Sequence, residues 1–217
     1  MTAARPFEAV LFDVDGTLID SNGAHAVAWA TALREQGISK TAAEIRPFIG
    51  MGSDKLLPAV AQLDEKTQLG RALAKRKKVI FDTLLPTLVP TPGARALVEY
   101  LRDCHVEVVI ATSAPDREMD AVLEQAGVKD LFPKRTSKDD AANSKPDPDI
   151  VEAALKKSRV PRDRAAMVGD TPYDVEAARR AGIAVVALRC GGYWSDQDFA
   201  GALDVFDHPA ALLAHWQ

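Results

Sequence analysis

The chain has 217 residues, 47% hydrophobic and 27% charged, with 13 glycines and 13 prolines, a composition that excludes a disordered or collagen-like protein and suffices for one large domain or a core carrying an insertion. Its formal net charge of −4 supplies no general positive field, so nucleic acid is not an expected partner. Cys104 and Cys190 are too few for a disulfide framework, no apolar run reaches the roughly 20 residues that span a bilayer, and residues 1–8 lack the pattern of a signal peptide, so reduced thiols and a cytoplasmic protein with no membrane partner are expected.

In chain order, the apolar run Ala9–Phe12 predicts a buried strand that ends in Asp13-Val14-Asp15-Gly16-Thr17. Ala26, Val27, Ala30 and Leu33 then recur at helical spacing up to Gly37, and residues 55–63 and 69–85 also read as helical. The run Lys75-Arg76-Lys77-Lys78 in the last of these reads as a solvated helix face. Roughly seventy residues without a strand exceed what one crossover helix needs, which predicts an inserted helical subdomain. The expected division is a core of residues 1–20 and 89–217 with a cap of residues 21–88.

Thr91 and Pro92 read as the N-cap and first position of a helix bearing Ala94, Leu97, Val98 and Leu101. Strands follow at 106–111, 165–168 and 184–188, with helices opened by Asp147-Pro148 and by Thr171-Pro172, the latter ending near Gly182. Strands alternating with helices predict an α/β protein, a doubly wound Rossmann-like parallel sheet with a small α-helical cap domain.

In such sheets ligands lie beyond the carboxyl ends of the strands. There the first strand presents Asp13 and Asp15 on one side, and two like charges about 4 Å apart cost roughly 4 kcal/mol at an effective dielectric near 20, so the pair must bind a cation or hold a proton. Asp and Gly are also ordinary turn formers, yet Asp-x-Asp-Gly-Thr should arise by chance in about one chain of this length in several hundred. Thr112-Ser113-Ala114 offers a hydroxyl and free N–H groups for phosphate oxygens, or simply a helix cap. Lys145 suits phosphate as a point charge but could equally be solvated. Asp170 and Asp174 supply oxygens that suit Mg²⁺, or in Asp174 a helix-capping carboxylate.

Together these segments resemble the four motifs of the haloacid dehalogenase-like hydrolase superfamily, in the branch of phosphoglycolate phosphatase and β-phosphoglucomutase. The motifs fall on Asp13 and Asp15, on Thr112, on Lys145, and on Asp170 and Asp174; Leu18-Ile-Asp-Ser21, His25-Ala-Val-Ala-Trp29 and Thr91-Pro-Gly93 also resemble that branch. The resemblance implies an Mg²⁺-dependent phosphatase in which Asp13 forms an aspartyl-phosphate and Asp15 is general acid and base. Thr112, Ser113, Ala114 and Lys145 would hold the phosphoryl group, and Asp13, the Asp15 carbonyl, Asp170 and, directly or through water, Asp174 would hold the metal. An acid at position 15 argues against dehalogenation. The implied substrate is a small phosphorylated metabolite such as phosphoglycolate or a sugar phosphate, chosen by the cap, where the glycine-bearing segment 46–55 is expected either to present Arg46 and Lys55 to it or to be a plain inter-helix turn. A monomer or weak dimer is expected. The rival readings are a phosphomutase of the β-phosphoglucomutase type and a non-turnover phospho-acceptor or interaction protein.

Overall fold

The computed structural model describes residues 7–217; most of the 1–8 segment discussed above lies outside the described residues. Six strands form one parallel sheet: β1 Ala9–Phe12, β2 Glu107–Ala111, β3 Lys134–Thr136, β4 Ala165–Gly169, β5 Ala184–Leu188 and β6 Asp204–Phe206, in the order β3-β2-β1-β4-β5-β6. The order reverses between β1 and β4, and their register, Ala9 opposite Ala165 through Phe12 opposite Val168, brings both carboxyl ends to the same level. A crevice opens at such a reversal.

Burial of both faces explains the uninterrupted apolar strands. Val10 and Phe12 of β1 pack on one face with Leu97, Val98, Val122 and Leu212, while Ala9 and Leu11 pack on the other with Ile150, Val151, Ala177 and Ala178. The alternation is the two-residue period of a strand, and each large apolar side chain so buried stabilises the fold by roughly 1.5–3 kcal/mol. The covering helices are α5 Ala94–Asp103, α6 Asp116–Gln125, α7 Asp149–Ser158, α8 Pro172–Ala181 and α9 Pro209–Trp216.

Between β1 and β2 the chain forms α1 Asn22–Glu35, the single turn α2 Ala42–Ile45, α3 Ser53–Ala61 and α4 Gln68–Leu84, with no strand among these residues. These helices bury a separate apolar cluster that includes Trp29, Leu33, Ile45, Leu57 and Leu73. Two antiparallel connections tie them to the sheet: Asp20 N–H donates to Val89 O (3.0 Å) and Thr91 N–H to Leu18 O (3.1 Å). No helix among the described residues is long and apolar enough to cross a membrane.

Two of the three expected helix starts differ from expectation. Thr171 caps α8 as anticipated, in a reciprocal capping box with Asp174, and Gly182 closes that helix in the left-handed conformation. Thr91 does not cap: its hydroxyl donates to Thr17 O (2.6 Å), and α5 begins at Ala94 after Gly93 at φ 78°. A Cβ at Gly93 would also collide with the backbone of Ala210, so close approach of α9 and positive φ both require glycine there. The α7 helix likewise starts at Asp149, while Asp147 turns to Lys55 and Arg180 instead of capping.

Candidate active site

Asp13 follows β1 directly, its N–H donating to Val168 O of β4 (2.9 Å), so the first motif is stitched across the reversal point. The turn behind it depends on Gly16 at φ 80°, where a Cβ would collide with the Asp170 carboxylate. Asp170, at the end of β4, receives Thr17 Oγ1 on Oδ1 (3.0 Å) and Asn22 Nδ2 on Oδ2 (2.7 Å). Asp174, in the first turn of α8, receives the Thr171 N–H (3.0 Å) and hydroxyl (2.6 Å) on Oδ2. One carboxylate oxygen from each of Asp13, Asp170 and Asp174 lies within 4.8 Å of the others, and all three residues are buried.

Lys145 is the buried counterweight. Fully inaccessible, it donates to Asp13 Oδ1 (2.6 Å) and lies 2.7 Å from Asp174 Oδ1 as an ion pair outside hydrogen-bond geometry. Burial acts against its charge, but Asp13 and Asp174 outweigh that and hold the ammonium well above its usual range. One lysine cannot balance three carboxylates. Burial therefore pushes the Asp13 carboxyl up to about 7, with Asp174 and Asp15 adding to the rise and Lys145 opposing it. Burial, with Asp13 and Asp174 adding to it and the Asn22 and Thr17 hydrogen bonds opposing, raises Asp170 well above the carboxylate range. An all-oxygen donor set with surplus negative charge fits a hard divalent cation.

The two acids of the first motif have separated partners. Asp15 Oδ1 accepts from Ser21 Oγ (2.6 Å) and lies 2.8 Å from His25 Nε2. Burial raises its pKa, but His25, Ser21 and Lys77 together outweigh burial and bring it to about 2. Its carboxylate is thus not in the three-acid group, in keeping with the expectation that Asp15 would reach a metal through its main-chain carbonyl.

These shifts carry opposite pH signatures. A carboxyl whose folded-state pKa exceeds its unfolded value of 3.8 stabilises the fold in its protonated form, a contribution complete below that value and lost as pH rises through about 7. Asp15 contributes above 3.8 and loses its contribution as pH falls towards about 2. Metal-free protein is therefore expected to lose stability between about pH 5 and pH 8, with added Mg²⁺ restoring most at the upper end. Urea unfolding in chelator and in Mg²⁺ across that range checks this; equal stability at both ends in chelator would contradict it.

Above Asp13 lies a cavity of about 550 Å³, with Asp15, Thr112, Ser113 and Ala114 also at its floor. Thr112 Oγ1 accepts from the Ala114 N–H (3.1 Å), which leaves its own proton for an acceptor in the cavity, and the buried Ser113 Oγ has no partner among the described residues. The roof comes from the inserted helices, through Ile49–Ser53, Trp29 and Leu56.

The expected cap cations are elsewhere. The loop of segment 46–55 does face the cavity, but its charged ends turn away: Arg46 donates to Gly191 O across the junction, and Lys55 pairs with Asp147 Oδ2 (2.6 Å). Neither lines the cavity. The basic run 75–78 is solvated at Lys75 and Arg76 as expected, but Lys77 departs from that reading, because it joins Leu73 and Phe81 in one buried stripe at four-residue spacing. Lys77 Nζ donates to Glu118 Oε1 (2.8 Å) and lies 5.0 Å from the Phe81 ring centroid, while His25 stacks on that ring at 3.9 Å. Sequence reasoning left His25 and Lys77 without these roles, although the Leu73-Lys77-Phe81 spacing was the available signal.

Fold and site together define a phosphatase-type enzyme. The haloacid dehalogenase-like hydrolase family model matches residues 10–188, and the chain belongs to that family. Phosphoglycolate phosphatase from Rhodospirillum rubrum is 32% identical over 217 residues, covering 94% of this chain and 89% of that protein. Phosphoglycolate phosphatase from Pseudomonas syringae pv. tomato is 33% identical over 188 residues, covering 84% and 69%. The crystal structure of a hydrolase from Pseudomonas syringae superposes with a TM-score of 0.89 at 31% identity, covering 95% of this chain and 96% of that one.

Proposed function

We propose that this chain is an Mg²⁺-dependent, cytoplasmic phosphatase that hydrolyses a small phosphomonoester, of the phosphoglycolate or sugar-phosphate kind, through an aspartyl-phosphate on Asp13. The observation that carries the reading is the placement of Asp13: it faces the cavity, while its oxygen Oδ1 is held from behind by the buried Lys145. The relatives from Rhodospirillum rubrum and Pseudomonas syringae are phosphoglycolate phosphatases, which supports the substrate class.

In the proposed reaction an Asp13 oxygen attacks phosphorus as the ester C–O–P linkage breaks on the phosphorus side, and the leaving alcohol takes a proton from Asp15. Water then attacks the acyl phosphate, gives its proton to Asp15, and releases phosphate with Asp13 restored. Asp15 is ionised where it now lies, ready as the base of the second step. To serve first as acid it must carry a proton. Thr112, Ser113 and the N–H groups near them meet the phosphoryl oxygens. Asp13, Asp170 and Asp174 would hold the metal, with the Asp15 carbonyl; when bound, it neutralises charge on the phosphoryl group.

A panel of phosphomonoesters assayed with Mg²⁺ and with chelator tests this. Metal-dependent, multiple-turnover phosphate release is expected. Conversion of β-glucose 1-phosphate, primed by a bisphosphate, to glucose 6-phosphate without net phosphate would instead make the chain a mutase. A phosphoprotein lasting minutes without turnover would make it a phospho-acceptor.

A further inference from the structure

Each acid of the three-acid group has a partner that holds it in place. Asp13 Oδ1 takes the Lys145 ammonium, and Asp174 Oδ2 takes the Thr171 N–H and hydroxyl from within its own capping box. Asp170 is held at both oxygens, by Thr17 Oγ1 on Oδ1 (3.0 Å) and by Asn22 Nδ2 on Oδ2 (2.7 Å). Lys145, Thr171 and Thr17 lie in the loops around the sheet. Asn22 does not: it is the first residue of α1, where the inserted helices begin.

The Asn22 side chain is committed to this contact. Asparagine near a helix start ordinarily caps it, yet Asn22 sits one place inside α1, is 1% exposed, and reaches a carboxylate 148 residues away in sequence. Ser21, at the cap position, makes no side-chain capping bond either, because its hydroxyl donates to Asp15 Oδ1. Asn22 Oδ1 has no partner among the described residues. Turning the amide over would set that oxygen against the Asp170 carboxylate, so the donor side is fixed. The chain also presses on Asp170 Oδ2 from two directions: a Cβ at Gly16 would collide with both Asn22 Nδ2 and Asp170 Oδ2, and one at Gly191 with Asp170 Oδ2. Asn22 is the one side-chain donor to this oxygen among the described residues.

We infer that Asn22 is a positioning residue of the cation site: by fixing the rotation of the Asp170 carboxylate from the first turn of α1, it raises the affinity of the three-acid group for a divalent cation and makes that affinity depend on the seating of α1. The inference rests on the Mg²⁺-dependent reading of the site and adds to it a residue that acts through Asp170. Hydrogen-bond partners of metal-ligating groups contribute about 10–100-fold in metal affinity. By linkage, whatever lifts the start of α1 from Asp170 loosens the cation, and the cation in turn holds α1 in place.

The test reads Mg²⁺ affinity without turnover, by isothermal titration calorimetry of the metal-free full chain in the absence of substrate. Asn22→Leu keeps nearly the volume of asparagine without its donor, and Asn22→Ala serves where the apolar side chain prevents folding. The control, Val60→Ala, removes two methyl groups from the apolar cluster of the inserted helices. Each Asn22 variant is expected to raise the Mg²⁺ Kd by about tenfold or more. Val60→Ala should stay within about threefold of wild type, even where its melting temperature in chelator falls as far as theirs. A Kd in the folded Asn22 variants within about threefold of wild type overturns the inference and leaves the phosphatase reading standing. An equal rise in Val60→Ala does the same, since general loosening of the inserted helices then accounts for the effect. Wild type that takes up no Mg²⁺ overturns the metal-dependent reading, and the inference with it.

Discussion

Asp13→Asn is expected to lower Mg²⁺-dependent phosphate release from an aryl phosphate by at least about 10⁴-fold, because the amide is nearly isosteric but cannot serve as the nucleophile. The substitution is unusually clean. The amide oxygen can still accept the Lys145 hydrogen bond now made to Oδ1 at 2.6 Å, so the local geometry has no reason to collapse. Electrostatics even point the other way. The fold pushes the Asp13 carboxyl up to about 7, which means that its ionised form is disfavoured in the metal-free protein at higher pH. Removing that charge should leave the chelator-treated variant at least as stable as wild type near pH 8. Activity and thermal unfolding, measured together, separate the outcomes. Activity within tenfold of wild type would remove Asp13 as the nucleophile, and lost activity accompanied by a lower melting temperature would make its role structural.

The converse expectation applies to Lys145. Its ammonium is the one buried cation touching the three-acid group among the described residues, contacting Asp13 at 2.6 Å and Asp174 at 2.7 Å. Lys145→Ala leaves these carboxylates uncompensated, and breaking a buried pair from one side costs about 3–5 kcal/mol. For a chain of this length that corresponds to a fall of roughly 10 °C in melting temperature. Activity should fall by at least about 10²-fold, since the buried charge that positions Asp13 is gone. Two conditions should narrow the stability deficit: lower pH, which protonates the raised carboxyls, and Mg²⁺, which replaces the missing positive charge. Denaturant unfolding at about pH 5 and pH 8, with and without Mg²⁺, reads all of this. A variant as stable as wild type at the higher pH in chelator would show that the lysine is not the counterweight of the cluster.

Much of the core was legible because its signals are local. Strands β1 and β5 run as anticipated, and β2 and β4 differ by one residue, because an uninterrupted apolar run flanked by helical spacing has few alternatives in a parallel sheet. The short edge strands Lys134–Thr136 and Asp204–Phe206 were not legible: three residues carry no period, and β3 is mostly polar. The start of α5 was misplaced for a related reason. Thr91-Pro92 has the local form of a helix start, but the Thr91 hydroxyl has a better partner in Thr17 O, a residue distant in sequence.

The candidate site residues could be located from sequence since each lies at the end of a strand or in the first turn of the helix that follows, where local structure alone places it at the carboxyl edge of the sheet. Asp13, Thr112, Asp170 and Asp174 all belong to this class. What local structure leaves open is how charges share partners once helices dock. Asp13 and Asp15 stand two residues apart, yet docking gives one a buried lysine and the other Ser21 and His25. The cap shows the same division. Its helices could be read from apolar spacing, but which basic side chains meet the cavity depends on how α4 is rotated about its axis, and burial of Leu73, Lys77 and Phe81 sets that rotation. It turns Lys75 to the cavity, while Arg46 and Lys55 are drawn off by Gly191 and Asp147 across the junction. Side-chain chemistry is written residue by residue along the chain; the partner of each charge is chosen by packing between segments far apart in it.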